Sequence, residues 1–222
     1  LLFCTSAFAS SLQQVVLSSN SLESAFQGWL DPRLNGGRLL DFTTPELGEP
    51  LNVIISALSD PYILTDHGFR EYSKSIGFSH ECLGLHIGDL HEADLGDGDG
   101  RKLEQYLARQ YYFPIWGTCW ESLAGGNHFR AWKQNGTDAN SGAWFLGVSK
   151  EEDSSKNHKI VPNGYNIGRD FLVDRATSVT RWKGKWWKAE VEWRDDLLES
   201  GSEGVNHGIA QDGLVAVLTV TR

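Results

Sequence analysis

The sequence contains no methionine, only three cysteines and no surplus of positive charge. Its formal net charge is −9, from 20 Lys and Arg against 29 Asp and Glu. An acidic surface repels phosphate backbones, so nucleic acid is not expected as a partner. No later run is long and apolar enough to cross a bilayer as a helix, so no membrane span is expected. No segment recurs at a fixed period, which argues against a repeat architecture. There is no G-x-S-x-G elbow to present a serine nucleophile, and no His-x-x-x-His pair to announce a helical zinc motif. Tryptophan, by contrast, is abundant, with nine residues. Indole supplies a large rigid surface with one polar atom, so it serves cores and binding faces alike, and the core is the first expectation for most of the nine.

The 222 residues are 40% hydrophobic and 22% charged, which fits one packed domain. Residues 1–9 are apolar and end in Ala7-Phe8-Ala9, an A-x-A-like cleavage site before Ser10, and read as the remnant of a secretory signal. Residues 10–48 are Ser-rich and weakly patterned and read as a loosely docked N-terminal segment. The domain is expected over 49–222. Secretion agrees with the sequon Asn135-Gly136-Thr137 in a polar stretch, so a glycan is expected on Asn135. Once Cys4 leaves with the signal, Cys82 and Cys119 remain. They can pair in an oxidising compartment, or stay as two separate buried thiols. The expected location is extracellular.

Hydrophobic periodicity outlines the elements. Residues 51–58 are apolar on both faces, as in a central strand. Phe69, Tyr72, Ser73 and Ile76 recur at helical spacing before Gly77. A second strand is expected over 82–88. Gly96-Asp97-Gly98-Asp99-Gly100 resembles a calcium loop, but Leu95 and Tyr106 stand where carboxylates are required, so a turn is expected. Helices are predicted over 101–110 and 115–123. Strands at 127–133 and 143–149 form a long hairpin that carries the sequon at its tip. A helix over 166–176 follows, with Asn163 or Asn166 as a cap. A hairpin turning at Lys183-Gly184-Lys185 and a strand over 214–221 complete the chain. The alternation after that turn makes the aromatic-basic run 181–188 half-buried sheet, not a nucleic-acid site. Together these predict an α+β fold, a mixed sheet with packed helices.

The dipeptide Asn-His occurs three times, at Asn127-His128, Asn157-His158 and Asn206-His207. Alternation puts His128, Arg130 and Trp132 on one strand face. Arginine offers a permanent charge and a donor fork suited to phosphate or carboxylate. The helix after Asn163-Gly164 presents its first N–H groups, with Asn166, Arg169 and Asp170 in its first turns. If these converge with His158, they form a site for a phosphoryl, carboxyl or sugar group, walled by Trp132 and Trp144. His128 or His158 would move protons, with Asp170 orienting an imidazole. The competing reading makes Arg130 and Asp170 a structural ion pair and the histidines surface polar groups. A zinc reading through His128, His158 and His207 has no close ligand spacing behind it, and no metal or cofactor is assigned. The third pair, Asn206-His207, has no independent support.

Several segments resemble a known family. These are Leu51-Asn52-Val53, Asn127-His128-Phe129-Arg130-Ala131-Trp132, Gly142-Ala143-Trp144, and Asn157-His158-Lys159-Ile160 leading to Arg169-Asp170. Over about residues 49–176 they resemble the LssY C-terminal domain family, and the chain looks like a group of secreted fungal proteins. This chain departs from the family pattern at Asn157, where the family has Thr, and at Gly168, where Glu is expected before Arg169-Asp170. The resemblance implies little chemistry beyond a phosphate-bearing ligand, by analogy with the lipid-phosphatase-like domains that accompany the family in bacteria. The expected function is thus a pocket for a small anionic or sugar-like ligand, as a phosphoester-type hydrolase or as a binding module. The alternative is a carbohydrate-binding or cell-wall structural protein.

Overall fold

The computed structural model describes residues 27–82, 89–113 and 116–222. The expected signal remnant, Cys4, nearly all of the expected strand at 82–88 and Ile115 lie outside the described residues. The elements run β1 (Val53–Ile55), α1 (Asp66–Ser75), β2 (Phe78–Ser79), β3 (Glu92–Asp94), β4 (Arg101–Leu103), β5 (Tyr106–Gln110), α2 (Gly117–Ala124), β6 (Gly126–Lys133), β7 (Trp144–Glu151), α3 (Gly164–Thr177), β8 (Thr180–Trp182), β9 (Lys185–Arg194) and β10 (Val215–Thr221). Eight strands form one mixed sheet in the order β2-β5-β6-β7-β1-β10-β9-β8, and β3 pairs with β4 separately. The α+β architecture with a mixed sheet is therefore present.

Strand β1 is central because both of its faces are apolar. Val53 and Ile55 join one core and Ile54 the other. It pairs parallel with β10 and antiparallel with β7. The first core lies under α1 and α3, where Phe69, Tyr72 and Ile76 meet Phe129, Ala131, Trp144, Leu172 and Val173. Thr65 starts α1, its Oγ1 accepting from the Gly68 N–H at 3.1 Å. The helix touches both edge strands, β2 and β8, so the sheet curls around it. At Gly168, α3 comes so close to β7 that an added Cβ would stand 2.5–2.8 Å from Ser149 backbone atoms.

The second core covers the opposite face, with Trp29, Leu39, Leu51, Trp132, Phe145 and Val217. Trp29 and Leu39 come from the segment expected to be loosely docked. Its described part, 27–48, is instead tied down. Gln134 Nε2 donates to Leu30 O at 2.9 Å, its Oε1 accepts from the Leu30 N–H at 3.0 Å, and the Leu51 N–H donates to Leu39 O at 2.8 Å.

The predicted helix at 101–110 is two strands, β4 and β5. Its residues have good helix propensity, yet Tyr106 and Ala108 are buried with Phe129 in the first core while Arg109 points to the other face. Period-two burial against β6 outweighs a local preference of a few tenths of a kcal/mol per residue. The turn at 96–100 is organised by buried Asp97, which accepts from the Asn135 and Gly136 N–H groups at 3.2 Å and pairs with Lys102 Nζ.

Cys82 and Cys119 form a disulfide with a Cα–Cα distance of 4.8 Å, closing a span of 37 positions. It fastens α2 to the chain that follows β2. The sequon residue Asn135 is exposed at the tip of the β6–β7 hairpin.

Candidate functional site

On the second face of the sheet the apolar core gives way to charge. Register places Arg109 of β5 beside His128 of β6, and His128 beside Ser149 of β7. Glu151 lies two residues further along β7 on the same face. Arg109, His128, Glu151 and Arg130 line a cavity of about 700 Å³. Loops close its rim with Asn157, His158, Asn206 and His207, and a further wall carries Glu49 and His91. All three Asn-His dipeptides therefore contribute a histidine to one cavity. Asn127 does not face it, because alternation turns its side chain to the opposite face, where Nδ2 donates to Gln110 Oε1 at 2.6 Å.

Glu151 is the hub of one half. Its Oε2 accepts from Arg109 Nη1 at 2.5 Å and lies 3.5 Å from His158 Nδ1, while its Oε1 lies 3.3 Å from His128 Nδ1. Burial works against its charge, but His128, His158 and Arg109 hold the carboxyl down at about 2. Arg109 also meets both carboxylate oxygens of Glu121 on α2 at 3.3 Å. Burial raises the Glu121 carboxyl to about 7, despite Arg109.

The two imidazoles beside Glu151 differ sharply. His128 is 2% exposed, and burial lowers its pKa to about 3, so it is neutral at physiological pH. Its Nδ1 is taken by Ser149 Oγ at 3.2 Å and by Glu151, which leaves Nε2 without a protein partner among the described residues. His158 is raised, chiefly by its hydrogen bond to Glu151 and against partial burial. Burial thus favours the neutral form of His128, whereas Glu151 favours the charged form of His158.

In the other half, Asp41 Oδ2 meets His91 Nδ1 at 2.8 Å, and its Oδ1 accepts from the Glu49 N–H at 2.6 Å. Arg130 pairs with Glu104, whose Oε2 also accepts from the His91 N–H at 3.1 Å. Arg130 lies near enough to Glu49, His91 and His128 to act on each through its charge. Asp41, Glu49 and His91 can each offer a metal-ligand atom within 4.8 Å of the others. Among the described residues they are the set that meets that distance. His128, His158 and His207 share the cavity without forming such a set.

The other expected site residues lie elsewhere. Trp132 shares its strand face with His128 and Arg130 but is core, with Nε1 donating to Lys102 O at 3.0 Å. Trp144 is on the opposite face, stacked on Phe69 at 4.3 Å. Arg169, Asp170 and Asn166 sit on α3, which packs on the first core. Arg169 is held by Asp170 Oδ1 at 2.8 Å, Asp212 Oδ1 at 2.6 Å and Leu214 O at 2.9 Å. Asn166 accepts from the Asp212 N–H at 3.2 Å, and Asn163 makes no side-chain cap bond. Asp170 thus braces α3 and orients no imidazole of the cavity. The sequence reading missed Arg109 because it lay in the mistaken helix. It missed Glu151 because the strand was ended two residues early. His207 had one available signal, the repeated dipeptide itself.

A scan against protein-family models, a search of curated proteins and a search of solved structures each returned no match.

Proposed function

We propose that the cavity binds a small polar ester, a phosphoester first, and hydrolyses it by acid–base chemistry. The observation that carries this reading is the pair of unlike imidazoles on one carboxylate. Buried His128, anchored through Nδ1, is too weak a base at a pKa of about 3 to hold the proton, but it can orient an attacking water by accepting its hydrogen bond at Nε2, the water's proton passing to a phosphoryl oxygen. His158, whose charged form Glu151 favours, can give a proton to the leaving oxygen. Arg109 and Arg130 offer guanidinium N–H groups to charge that develops between them. Each already serves a carboxylate, so they favour a charge spread over several oxygens more than a bare ion. The resemblance to the LssY C-terminal domain family points the same way through its phosphate association. The disulfide and the exposed sequon residue Asn135 support a secreted glycoprotein.

Turnover of 4-nitrophenyl phosphate and bis(4-nitrophenyl) phosphate tests the reading. His158→Gln should lower kcat by about 10²–10⁴ and remove the alkaline limb of its pH profile, because the acid must be protonated to act. Failure of the unmodified protein to hydrolyse any ester in such a panel overturns the hydrolase and leaves a binding module.

A second reading rests on α2. Trp116, just before it, and Trp120 are four residues apart on one helix side, 57% and 52% exposed. Paired indoles suit stacking on sugar rings. Retention on insoluble chitin or glucan that is lost in the Trp116→Ala, Trp120→Ala double variant would favour a wall-binding protein. No retention counts against it.

A further inference from the structure

We infer that Glu49 and His91, backed by Asp41, form a binding site for one borderline divalent metal ion of the zinc type on the cavity wall. Three observations carry this. Ligand atoms of Glu49, His91 and Asp41 lie within 4.8 Å of one another, which puts Glu49 and His91 within reach of one ion and Asp41 directly behind them. Glu49 is 6% exposed yet lines the cavity. Its Oε1 receives only a long 3.4 Å bond from Asn206 Nδ2, and its Oε2 meets neither donor nor cation among the described residues. A carboxylate so deeply buried normally has a cation or several donors. Asp41 stands behind the pair, with its side chain 1% exposed and its Oδ2 fixing the His91 ring at 2.8 Å. Carboxylates commonly hold metal-bound imidazoles in this way.

The environment agrees. Arg130, whose charge reaches Glu49, is paired with Glu104. The buried acid at 97 differs: Lys102 supplies its charge. Ligand chemistry sets the class of ion. Calcium and magnesium prefer oxygen-only shells, whereas an imidazole with carboxylates suits zinc and its neighbours. The cavity leaves room for water or ligand oxygen to complete the shell. The inference does not depend on turnover, because binding is read directly.

The test is calorimetric titration of the full chain, stripped with chelator, with Zn²⁺, Mn²⁺ and Ca²⁺ in turn. Expected is one Zn²⁺ per chain, weaker Mn²⁺ and no Ca²⁺ binding at the same concentrations. Glu49→Gln, which keeps the side-chain shape, and His91→Asn should each weaken Zn²⁺ by about 10-fold or more, with thermal melts confirming that they fold. His158→Asn, on the other half of the cavity, should leave Zn²⁺ affinity within about 3-fold. Absence of a stoichiometric site overturns the inference. So does affinity that survives Glu49→Gln and His91→Asn but is lost in His158→Asn. Calcium binding as tight as zinc overturns the choice of ion.

Discussion

Three residues on the cavity rim hold a backbone conformation that L-residues avoid. Asn157, His158 and His207 have φ of 54°, 50° and 60°. The left-handed region costs most residues about 1–2 kcal/mol, and Asn least among those with a side chain. Folding therefore sets aside some stability to aim these side chains. Asn157→Gly should change stability by less than about 0.5 kcal/mol, since the eased backbone is offset by a freer unfolded chain. Asn157→Val should lose about 1–2 kcal/mol in denaturant titration, because a branched side chain fits this region badly. His128 makes a separate prediction about pH. Its folded pKa, about 3, lies below the ordinary 6.5. Between those values the unfolded chain binds more protons, so stability falls as pH drops from about 6.5 towards 3. In His128→Gln that acid limb should be shallower than in the unmodified protein. An identical slope in urea titrations across the window would show that the imidazole is not held neutral.

Among the elements, α2 links the disulfide to the chemistry. Cys119 ties it to Cys82, and Glu121, two residues on, meets Arg109, which lines the cavity. In the chain-entropy model a closed span of this length is worth about 3–4 kcal/mol. Cys82→Ser with Cys119→Ser should lower stability by about that much. It should also free Glu121 from Arg109, which shows as a changed pH dependence at the site and not merely a lower Tm. Periodicity made most elements legible: β1, α1, the β6–β7 hairpin, α3, the β8–β9 hairpin and β10 all lie where spacing places them. Strand β5 was hidden because its partner β6 is distant in sequence and decides its state, while Leu, Ala, Arg and Gln favour a helix locally. The site was half legible. Alternation on β6 correctly joined His128 to Arg130, since register along one strand is local information. It could not show that Trp132, on the same face, lies over the core while its neighbours lie over a cavity. Nor could it separate Arg169 and Asp170 from the site, because the face on which a helix packs is set by the whole sheet. Asp41, Glu49 and His91 carry no spacing signal; loops bring them together.

For the molecule as a whole, the mixed sheet joins distant parts of the chain. Residues 53–55 pair with 216–218, and β10 separates β1 from β9 in the sheet. Removing residues 215–222 should therefore abolish folding, not trim an edge. The measurement is a thermal melt of the truncated chain, which should show no cooperative transition. A melt within a few degrees of the full chain would mean that the sheet does not depend on its last strand. The same pairing bears on the order of events during synthesis. The middle of the sheet stays incomplete until residues 215–221 have emerged, because they form the strand between β1 and β9. Nonlocal pairing of this kind is slow to form. A growing chain that has emerged only as far as β9 therefore carries β1 with one of its two neighbours missing, an open strand edge that β10 alone closes.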